Sequence, residues 1–116
     1  MQYRRFGNTG VNISALGFGC MRFPSFEKDG KKIFDEEESI RMMHRAMELG
    51  VNYFDTAPFY CNHNSEAALG HAIKGFRNKI LVSTKCPIRE EATPDKYREN
   101  LERSLTRLGT DHIDFY

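Results

Sequence analysis

Long apolar runs are what this sequence most plainly lacks: its uninterrupted apolar stretches are only a few residues long, where a membrane-spanning helix needs about 20. The opening Met1-Gln2-Tyr3-Arg4-Arg5 carries no apolar segment of the kind found in a signal peptide. An excess of one charge is missing too. Seventeen basic and 16 acidic side chains leave a formal net charge of +1 and are interleaved along the chain, which argues against the basic face a nucleic-acid partner requires. Cysteine is sparse: three residues, an odd number at wide spacing, make no disulfide framework, and a reduced, cytoplasmic setting is the simplest expectation. Tryptophan is absent, so the aromatic content rests on nine Phe and five Tyr. No repeat of fixed period and no low-complexity segment stands out. Neither a nucleic acid nor a membrane is expected as a partner.

What remains is an ordinary globular composition, 40% apolar and 28% charged over 116 residues. That length gives one domain, burying roughly 65% of the surface its unfolded chain would expose. Residues 1–14 read as a hairpin, with Gly7-Asn8-Thr9-Gly10 turning between Tyr3–Phe6 and Val11–Ser14. Ala15–Cys20 is a short apolar run with two glycines, read as a buried strand. Phe26–Lys32 is polar, contains Gly30, and reads as a loop. Asp35 then opens a helix as N-cap with Glu38 at the capping-box position. Ile40, Met43, Ala46 and Met47 give that helix its apolar face, and Gly50 closes it. The alternation continues. Val51–Asp55 is a strand, a helix beginning near Asn64 or Ser65 turns Leu69, Ala72 and Ile73 inward, and Lys79–Lys85 is a core strand with Ile80, Leu81 and Val82 in a row. Thr93-Pro94-Asp95 starts a helix that lays Tyr97, Leu101, Leu105 and Leu108 along one side before Gly109, and Ile113–Tyr116 begins a fourth strand.

Strand and helix alternating through short connections define an α/β fold with a parallel sheet, and right-handed crossovers make this either a doubly wound sheet or a barrel. The first strand–helix connection has no G-x-G-x-x-G, which weighs towards the barrel. Polar residues gather where strands end: Asp55 closes the second parallel strand, Tyr60 follows in its loop, and Lys85 closes the third. In a barrel those ends open on one face, where active sites are built. A carboxylate, a phenol and an amine brought together there form a proton-transfer group. An ammonium beside a phenol favours phenolate over the reference pKa near 10, and a carboxylate holds the ammonium charged.

Taken singly the residues stay open to plainer readings. Asp55 before Thr56 also fits a turn carboxylate, Tyr60 a loop aromatic, and Lys85 a solvated lysine. Cys20, Cys61 and Cys86 fall near the same strand ends, but their spacing, even with His63 near Cys61, matches no usual zinc or iron–sulfur pattern, so no metal is expected and the thiols read as small apolar residues. His44 and His71 lie in helices and read as surface or packing residues. Met42, Met43 and Met47 read as core filler and helix surface, and Asp35 to Glu38 as an acidic first turn suited to the helix dipole.

The segments Gly17-Phe-Gly-Cys-Met-Arg22, Asn52-Tyr-Phe-Asp-Thr-Ala-Pro-Phe-Tyr60, Ser65-Glu-Ala-Ala-Leu-Gly70, Ser83-Thr-Lys85 and Leu108-Gly-Thr-Asp-His-Ile-Asp-Phe-Tyr116 resemble, in order, successive signatures of the aldo-keto reductases. The resemblance implies the N-terminal half of a TIM (β/α)8 barrel: residues 1–116 as a partial barrel of about three to four βα units, with hairpin 1–14 capping its floor. It implies Tyr60 as general acid, Lys85 and Asp55 as its electrostatic partners, and Gly19, Met21, Arg22 and Asp55 bordering NADPH. The activity it implies is reduction of small aldehydes and ketones. The family's catalytic histidine would fall beyond Tyr116, and His112 is not a substitute for it. The family's main phosphate-gripping loops belong to the second half of the barrel, so residues 1–116 alone are expected to hold the cofactor weakly or not at all and to turn nothing over. Two other readings accompany this one: a non-catalytic fragment that forms homo-oligomers through unpaired strand edges, and a regulatory, redox-sensing relative of the reductases.

Overall fold

A computed structural model of the chain describes residues 1–87 and 93–116. It begins with an antiparallel hairpin, β1 (Tyr3–Arg5) and β2 (Asn12–Ser14), within the expected bounds. The centre is a parallel sheet in the order β3 (Phe18–Gly19), β6 (Tyr53–Asp55), β7 (Leu81–Ser83). Between β3 and β6 come a second hairpin, β4 (Ser25–Lys28) with β5 (Lys31–Phe34), and helix α1 (Glu36–Glu48). Helix α2 (Ser65–Ala72) and a short 3₁₀ turn at Arg77–Lys79 connect β6 to β7. Helix α3 (Pro94–Leu108) follows. This is a partial α/β barrel, open rather than closed.

Side-chain alternation along the short strands decides where the core lies. Phe54 and Val82, partners in register, are fully buried against the helices. Met43 and Ala46 of α1, Ala68, Leu69 and Ala72 of α2, and Leu108 of α3 meet them there with Cys20. On the other face Tyr53, Asp55, Leu81 and Ser83 are half-buried. Phe6 packs edge-on to Phe115, with centroids 4.9 Å apart, and lies 5.9 Å from Tyr53. The first hairpin is clipped to the lower end of the sheet by Asn52, whose Oδ1 accepts from Ser14 N at 2.7 Å while its own N–H donates to Ser14 Oγ at 3.1 Å.

The helix ends follow their sequence signals. Asp35 Oδ1 accepts from Glu38 N at 3.0 Å, but Glu38 pairs with Arg41 instead of reaching back, so the capping box is half-formed. Thr93 Oγ1 caps α3 through Lys96 N, and Gly109 ends it in the left-handed region at φ 61. Gly70 marks where α2 crosses α3: a Cβ there would stand 2.4 Å from Leu108 O. His44 bonds to Ala72 O at 2.9 Å, so it packs between helices, and the His71 ring bonds to Glu36 at 2.6 Å.

Three expectations need correction. Residues 26–32 are not a loop but most of the β4–β5 hairpin. Asp29 and Gly30 both take positive φ, 51 and 71, and form the two-residue turn that suits hairpin twist. Neither strand alternates apolar with polar, which hides the pairing from periodicity. The stretch Ile113–Tyr116 does not form a regular strand. Phe115 alone bridges Ser83, in parallel sense, because Asp114 Oδ2 takes the Val82 N–H at 2.8 Å where a backbone carbonyl would continue the ladder. Arg77 holds that carboxylate at 2.7 Å and donates to His112 O and Thr110 Oγ1. Along α3 the buried positions are Ser104 and Leu108, whereas Tyr97 is exposed and lies against the Tyr116 ring.

Candidate active site

Register places the site. Gly19 pairs with Asp55, and Asp55 with Ser83, so the last residues of the three parallel strands form one row and the chain leaves each on the same side. Asp55 and Lys85 meet there. Lys85 Nζ donates to both Asp55 carboxylate oxygens at 2.8 Å and to Thr56 O at 2.9 Å, which uses all three ammonium protons. It also sits 4.8 Å from the centroid of the Tyr60 ring, over its face. Burial pulls the Lys85 pKa down, but its interactions with Asp55 and then Tyr60 outweigh it, and the net shift is upward. Side-chain exposures of 39% for Lys85 and 35% for Asp55 leave the pair open to a ligand. Gly19 leaves that end of β3 unobstructed: a Cβ there would meet nothing within 4 Å.

Tyr60 owes its position to an unusual turn. Its N–H bonds to Ala57 O at 3.2 Å, and its carbonyl accepts from Ser65 N at 3.4 Å. Cys61, Asn62 and His63 then take φ values of 50, 52 and 68, three successive non-glycine residues in left-handed geometry. Such geometry costs of order 1–3 kcal/mol per residue and persists only when surrounding contacts impose it. Here they do. Asn64 Nδ2 donates to the Cys61 and Asn62 carbonyls, His63 Nδ1 donates to Pro58 O at 2.9 Å, and Cys61 Sγ donates to Met21 O at 3.3 Å. Met21 and Arg22 lie across this contact, lining a cavity beside the trio. Among the described residues no bond joins Met21 or Arg22 to Asp55, Tyr60 or Lys85.

Ser65 and Glu66, which the sequence offered only as a helix start inside a motif, hold this end together. Ser65 Oγ donates to Cys20 O and shares a hydrogen bond with Thr56 Oγ1, both at 2.8 Å. The next residue, Glu66, is 1% exposed and accepts from Thr84 Oγ1 at 2.7 Å and from Arg107 Nε. One dipeptide at the start of α2 therefore ties the ends of β3, β6 and β7, each next to a site residue. The available signal was a Ser-Glu pair opening an otherwise apolar helix.

The thiols differ in their surroundings, Cys61 and Cys86 being only half-buried. Cys20 is fully buried in the core, and burial first, then the Asp55 charge, pushes its pKa far up. All three cysteines are free. Among the described residues no three His, Cys, Asp or Glu side chains are grouped to hold a metal, and no helix is long and apolar enough to cross a membrane.

Comparison with known proteins fits this architecture. The sequence profile of the aldo/keto reductase family matches residues 15–116. L-galactose dehydrogenase of Arabidopsis thaliana is 32% identical over 98% of this chain and 36% of its own length. A solved aldo-keto reductase of Bacillus halodurans, in its holo form, superposes with a TM-score of 0.80 at 35% identity, covering 97% of this chain and 38% of its own. An aldo-keto reductase of Klebsiella pneumoniae in complex with NADPH shares the fold with a TM-score of 0.67 at 24% identity, over 90% of this chain and 34% of its own. The chain belongs to the aldo/keto reductase family. It spans little more than a third of the length of these relatives, a smaller share than the half that the motifs suggest.

Proposed function

We propose that this chain supplies the proton-transfer group of an NADPH-dependent carbonyl reductase acting on small aldehydes or ketones, with Tyr60 as general acid and Lys85 and Asp55 as its electrostatic partners. The observation that carries the reading is the Lys85 ammonium, held by both Asp55 oxygens and poised over the Tyr60 ring. Asp55 and the Thr56 carbonyl fix the ammonium in place. From there its charge steadies the oxyanion developing on a carbonyl oxygen. Tyr60 hands its proton to that oxygen.

The cofactor fits the open row at the strand ends: the absence of a side chain on Gly19 leaves space for a flat ring beside Asp55. Gly19, Met21, Arg22 and Asp55 would hold its nicotinamide and ribose, and NADPH, when bound, supplies a hydride there. Residues 1–14 serve in this reading as the cap on the opposite end of the sheet.

The test is Tyr60→Phe in a catalytically competent protein containing this chain. Turnover of NADPH with an aldehyde should fall by about a hundredfold or more while cofactor binding is retained. Activity within about tenfold of the parent would refute the acid assignment. A second reading, self-association, draws on the outer edge of β3, which among the described residues pairs with β6 alone. Light scattering tests it, and a strictly monomeric folded chain refutes it.

A further inference from the structure

Beside the Asp55–Tyr60–Lys85 group lies a cavity of about 550 Å³, walled by the connection after β3, the β4–β5 hairpin and the strained turn after Tyr60. Its size is that of a small-molecule pocket. Phe23 and Phe34, with ring centroids 6.1 Å apart, give it an apolar side. Its charged lining residues are Arg22 and Lys32, both cations, and no carboxylate is among the described residues that line it. Neither cation has an ion-pair partner among the described residues. Glu27 stands opposite Lys32 across the hairpin without pairing to it, and Lys85 has given its own charge to Asp55. The turn that presents Asn62 to the cavity is the left-handed run Cys61–His63, strained backbone kept where it shapes a wall.

We infer that this cavity binds a small organic anion with an apolar or aromatic body, its carboxylate or phosphate held by Arg22 and Lys32 with help from Asn62. An anion gives two unpaired cations their missing partner, and an arginine fork suits a planar carboxylate in particular. Cys61 lines the cavity and directly follows Tyr60 in the chain, so the cavity adjoins the loop that carries the phenol. Resting on the reductase reading, this makes the preferred carbonyl substrate an anionic aldehyde or ketone rather than a neutral one.

The same chemistry could come from an NADPH phosphate, and one experiment separates the two sources. The uniformly ¹⁵N-labelled 116-residue chain is titrated with 4-(hydroxymethyl)benzoate, with its neutral methyl ester, and with NADPH, following backbone amides. The benzoate should shift amides around Met21, Phe23 and Asn62 and bind about tenfold more tightly than the ester. Arg22→Met and Lys32→Met, both exposed positions, should each erase most of that difference. Equal binding of acid and ester overturns the inference, and so does displacement of the bound benzoate by NADPH. Because no turnover is read, the titration reports anion binding apart from the acid role of Tyr60, and a failure of the reductase reading shows up separately from a failure of anion binding.

Discussion

Removing the Glu66 side chain is the most informative perturbation of stability. The carboxylate is 1% exposed and accepts from Thr84 Oγ1 and Arg107 Nε. In Glu66→Ala the Thr84 hydroxyl, itself 2% exposed, is left buried without its acceptor, which costs about 1–3 kcal/mol. Arg107 keeps 33% side-chain exposure, so water replaces part of what it loses, and its lost charged bond adds only about 1 kcal/mol after that discount. The total is about 3 kcal/mol, against roughly 6–17 kcal/mol for a chain of this length. Urea unfolding followed by far-ultraviolet circular dichroism should show the midpoint falling by roughly 1–3 M for an m-value near 1–3 kcal/mol/M. Glu66→Gln, which can still accept from Thr84, should lose clearly less. Arg107→Met should exceed Glu66→Gln and reach about 3–5 kcal/mol, because it strands a buried carboxylate. A Glu66→Ala protein within about 1 kcal/mol of the parent would refute the view that this residue binds the strand ends together.

Other outcomes follow from single contacts. Gly70→Ala should destabilise by about 1–3 kcal/mol in the same assay, because its Cβ would meet the Leu108 backbone at 2.4–2.9 Å; a neutral result would mean that α2 and α3 separate freely. Lys85 has its pKa raised in the folded chain, burial being outweighed by Asp55 and Tyr60. The stability it contributes is therefore complete below the unfolded value near 10.4 and lost as pH rises through the higher folded value. With the pair over a third exposed, that contribution is at most about 1 kcal/mol. The gap between parent and Lys85→Met should accordingly narrow above about pH 10.4, and a gap constant to higher pH would refute the linkage.

Much of this architecture can be read in the sequence, for reasons particular residues make plain. Asp35, Thr93-Pro94 and Gly109 mark helix ends through strictly local geometry, and the structure uses each of them that way. Asp55, Tyr60 and Lys85 were legible as a group because strand ends in a parallel sheet share one side, and the contacts among them follow from that register. Less was visible where a side chain competes with backbone. Asp114 takes a ladder N–H that periodicity assigns to a strand. The Asp29-Gly30 turn was visible as a dipeptide, but strands without an apolar face gave it nothing to join. Ser65 and Glu66 are the sharpest omission. Their partners Cys20, Thr84 and Arg107 lie 18 to 45 residues away, a separation that no local pattern encodes.

The first hairpin is fastened by Asn52 at the end of the sheet remote from Asp55 and Lys85. Protein engineers thus have two separable territories in one small chain. Changes to the Gly7–Gly10 tip, including insertion of a tag or a fluorophore-bearing segment, should be absorbed there without altering the Asp55–Lys85 contact at the far rim. Variation at Arg22, Lys32 or Asn62 should change only what the cavity beside them accepts, over a base that stays fastened.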